Sequence, residues 1–187
     1  MKVSQVLLLS SISFFIAQSA VAQSCSDQIK KIAPDSRYQI VDGSNGSEVK
    51  DIKTGLIWQR CSLGQVWGAG QCYGNPQAYT WSEALQKTNA LGNGYRLPHI
   101  KELGTLVEEA CTSPAINSSI FPTTAVNDYW SSSPKASDNR YAWSINFDEG
   151  TVNSDSVYYK TTKKFNVRAV RSANSVSYTH LTLPTKR

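Results

Sequence analysis

The chemistry open to this chain is limited first by its histidines, because the sequence contains only two. His180 lies in a C-terminal segment set apart below, so a Ser-His-Asp or Cys-His arrangement in the main part would have to use His99. His99 follows Pro98 at the start of a predicted helix, where a solvent-facing or capping histidine is the common case. No partner for it stands in a recognisable motif. We therefore predict that the protein is not an enzyme and assign no catalytic residue.

A second group with possible chemistry consists of oxygen donors of the kind that bind calcium, gathered around one predicted hairpin turn. They are Asn146, Asp148, Glu149, Asn153 and Asp155. The stretch contains no Glu-Pro-Asn or Gln-Pro-Asp loop, and no Trp-Asn-Asp strand, of the calcium-dependent lectins. Turn chemistry alone accounts for Asp148-Glu149-Gly150. We predict no metal site and no cofactor.

The four cysteines point to disulfide bonds, because none stands in a Cys-x-x-Cys or Cys/His cluster. An even number in an exported chain is typical of two disulfides, for which three connectivities exist on paper. Cys61 and Cys72 flank the glycine-rich stretch SLGQVWGAGQ, which gains little order by itself, so we pair them. That leaves Cys25 with Cys111, a bond that would tie the N-terminal segment to the end of a helix.

Both ends of the chain are set apart from the single domain that we predict over residues 23–174. Residues 1–22 combine Lys2, an apolar run and a small-residue ending, which is typical of a secretory signal peptide; the run is short for a membrane span. Residues 175–187 share no periodicity with what precedes them and resemble a read-through tail, so we exclude them. We expect an exported bacterial protein, periplasmic, extracellular or at the cell surface, and not membrane-spanning.

The basic charge of the sequence comes largely from those ends. The full chain has 19 basic and 14 acidic residues. Lys2, Lys186 and Arg187 lie in the predicted signal and tail, and without these three the balance is 16 against 14. This small excess removes the main support for nucleic-acid binding, which depends on strongly basic surfaces. We predict no nucleic-acid partner.

The first half of the predicted domain reads as short strands followed by helices. Apolar alternation between turn residues predicts strands over 38–41, 48–52 and 55–60. Thr80-Trp81-Ser82-Glu83 is a capping box, because the threonine and the glutamate can each bind the other's backbone amide. It predicts a helix that ends at Gly92-Asn93-Gly94.

A second helix is predicted over 98–111, because Pro98 suits a first helical turn and apolar residues then recur at helical spacing. Glu108 and Glu109 are interpreted as part of its solvated face. Arg96 lies on the extended segment before this helix. Its guanidinium offers a rigid fork for carbonyls or a carboxylate, and we expect it to hold the junction between the helices and the sheet.

From residue 127 the pattern returns to strands. Residues 129–133 and 141–147 predict two strands, joined by the turn at 148–150 to a further strand at 151–152. Residues 165–170 alternate again and predict a terminal strand. Four tryptophans in the strand and helix patterns are expected to fill the core. They are Trp58, Trp81, Trp130 and Trp143.

Seven stretches, in this order, resemble the Lcl C-terminal domain family of bacterial surface and secreted proteins. They are TGLIWQRCSLGQ (54–65), YTWSEAL (79–85), GYRLPHIKELGTLVEEAC (94–111), PAINSSIFP (114–122), YWSSSP (129–134), YAWSINFDEG (141–150) and VRAVR (167–171). The resemblance implies a C-type lectin-like α+β fold, with two helices packed on a mainly antiparallel sheet, a loop-rich second half and disulfide staples.

The helix with RLP and the closing VRAVR strand are also distantly similar to the formylglycine-generating, or sulfatase-modifying, group, which shares that fold. Those enzymes use paired thiols near the end of their domain. Here no cysteine follows Cys111. The catalytic role of the group is therefore not carried over, although its fold is.

The lectin-like resemblance implies a ligand site in the loops of the second half. Aromatic faces bordered by polar side chains suit a carbohydrate or protein surface. The candidates are Lys135, Asp138, Asn139, Arg140, Tyr141, Asp148, Asn153, Asp155, Tyr158 and Tyr159.

We expect a secreted, non-catalytic, lectin-like domain that recognises a glycan or another surface ligand in an adhesion-type role. One alternative is a periplasmic protein-interaction module that uses the same loops without sugar dependence. Another is a degenerate enzyme of the formylglycine-generating type. The sequence leaves open whether the protein forms a homo-oligomer, and it shows no coiled-coil heptad or stalk that would enforce one.

Overall fold

The structure is a computed structural model that describes residues 22–153 and 159–173. In these ranges the chain forms eleven strands and two α-helices. In chain order they are β1 (Ser24–Cys25), β2 (Tyr38–Ile40), β3 (Glu48–Asp51), β4 (Leu56–Gln59), β5 (Val66–Gly68), β6 (Gln71–Tyr73), α1 (Trp81–Asn89), α2 (Ile100–Gly104), β7 (Cys111–Thr112), β8 (Asp128–Lys135), β9 (Asp138–Asn146), β10 (Thr151–Asn153) and β11 (Val170–Ser172). The predicted tail, and the predicted signal up to residue 21, lie outside the described residues.

The larger sheet has the order β11-β4-β3-β2 and is antiparallel throughout. Val49, Trp58 and Val170 are neighbours across three of its strands, and all three side chains are fully buried. Apolar surface contributes roughly 25 cal/mol per Å² removed from water, so this row is a main source of stability. The three short strands predicted between residues 38 and 60 are confirmed in this sheet.

A second antiparallel sheet has the order β10-β9-β8 and carries the predicted ligand loops. Tyr129 and Ile145 pair across it and are fully buried. Ala142 and Ser144 are also buried, so Trp143 between them is only half-buried. The core position predicted for Trp143 is therefore wrong, because the buried side of β9 changes between Ser144 and Ile145. Trp130 is fully buried, as Trp58 is.

Helix α1 begins where its capping box predicts. The Thr80 hydroxyl accepts from the Glu83 amide at 3.4 Å, and the Glu83 carboxylate accepts from the Thr80 amide at 2.8 Å. The helix ends at Asn89, shortly before the predicted glycine stop. Trp81, at its first position, is half-buried and donates from Nε1 to the Ser131 carbonyl at 2.8 Å, which joins the helix to β8.

The helix predicted over 98–111 is much shorter, covering only Ile100–Gly104. The amides of Thr105, Leu106 and Val107 each bond to a carbonyl three residues back, so the helix tightens into a turn. Apolar residues at spacing three or four suit this turn as well as a longer helix. Pro98 therefore precedes the helix, with its carbonyl accepting from the Ser132 amide at 2.7 Å.

The environment of Glu108 also differs from the predicted solvated face. Its side chain is 1 % exposed and accepts from the amides of Ala33, at 2.8 Å, and of Ile32 and Ala110, each at 3.2 Å. Glu109 is exposed, as expected. Because the helix ends early, Glu108 turns inward and caps a segment far away along the chain.

Both disulfides pair as predicted. The Cys61–Cys72 bond joins the segment just after β4 to β6, and the Cys25–Cys111 bond joins β1 to β7. They leave no free cysteine. The terminal strand is shorter than predicted, because only Val170–Ser172 is a strand, although residues 165–170 are all buried.

The fold is therefore a mixed α and β structure with mainly antiparallel sheets, two short helices and two disulfides. Within the described ranges, neither helix is long and apolar enough to cross a lipid bilayer.

Candidate functional site

The tip of the β8–β9 hairpin brings several nominated residues together. Lys135 pairs with Asp138 where the two strands join. The Arg140 guanidinium forms a two-pronged ion pair with the Asp138 carboxylate, with Nη2 2.6 Å from Oδ2 and Nε 2.9 Å from Oδ1. Arg140 is 61 % exposed in this pair. Asp138 therefore holds the guanidinium in one orientation while leaving it accessible to solvent.

An aromatic pair lies beside this arginine. The ring centroids of Tyr141 and Tyr159 are 4.7 Å apart, and their backbones form an antiparallel bridge. The Arg140 guanidinium carbon lies 5.7 Å from the centroid of the Tyr141 ring and 5.5 Å from that of Tyr159. The Lys135 ammonium lies 5.9 Å from the Tyr141 centroid. The cations therefore border the tyrosine faces at cation–π distance.

Lys160 belongs to the same surface, although the sequence analysis did not nominate it. Its ammonium donates to the Asn139 carbonyl at 2.7 Å and lies 4.1 Å from the centre of the Trp81 ring. Its amide donates to the Arg140 carbonyl at 3.1 Å. The only sequence signal was its position next to Tyr159, because the pairing of this segment with β9 is non-local. We call Lys135, Asp138, Asn139, Arg140, Tyr141, Tyr159 and Lys160 the hairpin-tip surface.

The Asp138–Arg140 ion pair of this surface keeps both of its charges near neutral pH. Hydrogen bonds from Arg140 lower the pKa of Asp138 to about 2, and the same contact raises the pKa of Arg140. The hydrogen bond with Tyr159 raises the pKa of Tyr141, so that phenol stays neutral. Burial lowers the pKa of Lys160. The surface therefore offers the neutral Tyr141 phenol and an arginine whose charge does not titrate near neutral pH.

Two nominated residues lie elsewhere. Asp148 follows the opposite end of β9, a strand about 26 Å long at the usual rise, and accepts from the Ser113 hydroxyl at 2.6 Å. Asn153 lies on β10 and donates to the buried Asp128 carboxylate at 3.2 Å. Both are engaged in holding the sheet and its turn, and the structure does not bring them to the hairpin tip. Asp155 and Tyr158 lie outside the described residues.

Arg96 binds a carboxylate at the junction between the helices. Its two terminal nitrogens each donate to a Glu102 oxygen at 2.7 Å, and its backbone amide donates to the Val170 carbonyl at 2.9 Å. Burial raises the pKa of Glu102, but the bonds from Arg96 and from the His99 amide outweigh that effect and the pKa is lowered. Arg96 thus links α2 to β11.

His99 caps the start of α2 and is exposed. Its Nδ1 lies 3.3 Å from the Ser132 hydroxyl, a contact that the sequence could not suggest because 33 positions separate the two residues. Among the described residues, no carboxylate hydrogen-bonds to the imidazole.

A further kind of site is a cation site built on side chains, and the described residues do not form one. In the described ranges, no group of three or more histidine, cysteine, aspartate or glutamate residues could hold a metal ion. At the hairpin turn that carries oxygen donors of the calcium-binding kind, Asn146 Oδ1 accepts from the Asp148 amide at 2.8 Å, which is ordinary turn chemistry.

Comparison with known proteins gives one family. The model of the Lcl C-terminal domain matches residues 47–171. The matched range includes the larger sheet from β3 onward, both helices and the whole hairpin-tip surface. No curated protein matches the chain.

Proposed function

Because this chain belongs to the Lcl C-terminal domain family, we propose that it is a secreted, non-catalytic domain of C-type lectin-like fold. It recognises a glycan or another surface ligand in an adhesion-type role. The hairpin-tip surface is its binding site.

The observation that carries this proposal is the Tyr141–Tyr159 pair with Arg140 beside it. A sugar ring needs a flat apolar face and fixed hydrogen-bonding groups at its edge. The two tyrosines supply the face, and Asp138 fixes the direction of the Arg140 fork. The exposed guanidinium can still donate outward, because Asp138 engages only one side of it.

The lectin-like assignment is supported by the order of the elements. Both helices lie in sequence between the two main sheets, and the closing strand β11 returns to pair with β4 at the edge of the first sheet. The two disulfides fit an exported protein, since such bonds persist in oxidising compartments. The non-catalytic role is supported by the cysteines, all four of which are in disulfides, so that no thiol is available for chemistry of the formylglycine-generating type.

The proposal is tested by glycan-array binding of the purified protein, with and without chelator and at two salt concentrations. We expect chelator-insensitive binding to a defined set of glycans. Salt sensitivity would separate attraction to acidic glycans from stacking on neutral sugars. A blank array would instead favour a protein partner, as in the periplasmic interaction module considered above.

Two pairs of variants locate the site. We expect Tyr141→Ala and Arg140→Ala to weaken binding about tenfold or more, since truncation of an aromatic or arginine anchor typically has such an effect. Tyr73→Ala is the matched control for the tyrosine, because Tyr73 is 48 % exposed on the β5–β6 hairpin. Arg171→Ala is the control for the arginine, because it removes a charge paired with Glu48 in the other sheet. Equal losses in the controls would show that the site lies elsewhere.

A further inference from the structure

Two loops, one carrying Ile32 and the other Ile52, place isoleucines and lysines on one open surface that has no part in the proposal above. Ile32 is 44 % exposed and Ile52 is 51 % exposed. With Lys30, Lys31 and Lys53 they line an open groove of about 620 Å³. We call these five residues the isoleucine–lysine surface. Its N-terminal part precedes the range that matches the family model, so the match does not account for it.

The two loops are held together by one buried arginine. Arg37 donates to the Ile32 carbonyl at 3.3 Å, and the Ile52 amide donates to the Arg37 carbonyl at 3.0 Å. The Arg37 guanidinium is itself paired with Asp51, which is fully buried. The exposed isoleucines are therefore presented by a fixed framework.

The loop that carries Ile32 is also held by a second set of contacts. The buried Glu108 carboxylate accepts from the amides of Ile32 and Ala33, and the Cys25–Cys111 disulfide holds the start of the segment against β7. With its backbone fixed in this way, the loop could turn Ile32 inward only by breaking buried hydrogen bonds. Exposed apolar side chains on a rigid frame are typical of a binding surface.

The charge of the surface has one sign. Lys30, Lys31 and Lys53 are exposed, and no ion pair engages them in the part of the chain that the structure describes. The nearby Asp51 is neutralised by Arg37. Asp35 accepts only from the neutral Asn117 side-chain amide, which does not offset its charge, and the three lysines outnumber this one carboxylate. The surface therefore fits an anionic partner with apolar groups.

We propose that the isoleucine–lysine surface docks the protein on an anionic lipid bilayer, with Ile32 and Ile52 entering the headgroup boundary and the three lysines facing lipid phosphates. Protein interfaces are enriched in aromatic residues and arginine and depleted of lysine. This surface has the opposite composition. Lysine stems can lie along apolar surface while their ammonium groups reach the phosphates, and clustered lysines near a bilayer add their attractions. This docking is independent of ligand binding at the hairpin tip.

The test is co-sedimentation of the full protein with phosphatidylcholine vesicles and with phosphatidylcholine–phosphatidylglycerol vesicles. We expect binding to the anionic vesicles only, falling as salt is raised. Lys30→Glu with Lys53→Glu should lower the partition coefficient about tenfold or more. Lys87→Glu with Lys101→Glu makes the same change in net charge on exposed helix positions and should have a much smaller effect.

A second pair of variants separates insertion from charge alone. Ile32→Ser with Ile52→Ser should reduce binding severalfold at unchanged net charge and unchanged Tm. Ile40→Ser with Val152→Ser removes side chains that are 52 % and 55 % exposed elsewhere, and should leave binding intact. The proposal is wrong if the anionic vesicles bind no protein, if both lysine pairs lose binding equally, or if the Ile32/Ile52 pair behaves like its control. If the protein does not bind vesicles, an acidic protein becomes the favoured partner for this surface.

Discussion

Arg37 and Asp51 form a buried, two-pronged ion pair beneath the loop that precedes the larger sheet. Arg37 Nε donates to Asp51 Oδ1 at 2.8 Å, and the side chains are 8 % and 0 % exposed. The same carboxylate also accepts from the Lys53 amide and the Thr54 hydroxyl. One side chain thus orders the turn after β3 and the segment before β2.

We expect Asp51→Asn to lower the free energy of unfolding by about 3–5 kcal/mol, because it leaves the Arg37 charge buried without its partner. For a domain of this size the fall in Tm is roughly 10 °C. Thermal unfolding followed by circular dichroism measures the loss. Asp138→Asn is the matched control, because its arginine partner is solvent-exposed, and an equal fall in both variants would contradict the importance of burial.

The same carboxylate predicts an acid-sensitive step in stability. Burial raises the pKa of Asp51, but its hydrogen bonds with Arg37, Thr54 and Lys53 outweigh this and hold the pKa below the ordinary 3.8. A lowered folded-state pKa contributes stability above pH 3.8, and that contribution is lost as pH falls further. Tm measured from pH 6 down to about 2 should therefore fall more steeply in the wild type than in Asp51→Asn. Parallel curves would show that another group controls acid unfolding.

We expect Arg96→Ala to destabilise the protein by about 1 kcal/mol, with ligand binding unchanged. Its fork to Glu102 is bidentate but partly exposed, at 37 % for the arginine, so solvent screens part of the interaction. Arg140→Ala removes an equally bidentate but more exposed pair and should leave Tm unchanged while affecting ligand binding. A stable Arg96→Ala protein would mean that Arg96 is not the clamp between α2 and β11.

The sequence predicts best where structure depends on neighbouring residues. The α1 capping box lies within four residues, and the Cys61–Cys72 loop spans 11 positions, so both could be inferred from local patterns. Glu108 was misinterpreted because its partners Ile32 and Ala33 lie 76 and 75 positions away. A glutamate beside another glutamate carries no local sign of a buried role.

At the candidate site, too, prediction depends on whether the residues in contact are neighbours in the sequence. The five candidates from Lys135 to Tyr141 follow from the lectin-like resemblance, which implies a ligand site in the loops of the second half, and the structure joins them in one hairpin. Lys160 was missed because it reaches Asn139 through pairing between distant segments. The same resemblance nominates Asp148, but a nine-residue strand places it beyond the far end of β9. A resemblance to a fold does not say which end of a hairpin a residue occupies.

The two disulfides should differ in their contribution to stability. The Cys25–Cys111 bond closes a loop of 86 positions and the Cys61–Cys72 bond one of 11. Loop-closure entropy then gives losses of about 4–5 and about 3 kcal/mol when each pair is replaced by serine. Denaturant unfolding of the two double variants measures the order, and non-reducing peptide mapping of the wild type checks the pairing. A larger loss for the short loop would contradict the entropic argument.

Glu108 provides the sharpest test of the anchoring beneath the isoleucine–lysine surface. Glu108→Gln keeps the size of the side chain but replaces one acceptor oxygen with an amide that faces backbone N–H donors. At least one of the Ile32, Ala33 and Ala110 amides then loses its acceptor. We expect a loss of about 1–3 kcal/mol, the usual cost of an unsatisfied buried donor.

The control for this variant lies one position further along the chain. Glu109→Gln makes the same chemical change on an exposed side chain and should leave stability unchanged. Hydrogen exchange gives a local readout, because the amide protons of Ile32 and Ala33 should exchange faster in Glu108→Gln while those of the β3–β4 pairing keep their protection. If both amides stayed protected, Glu108 would not be what holds this loop, and its burial would need another explanation.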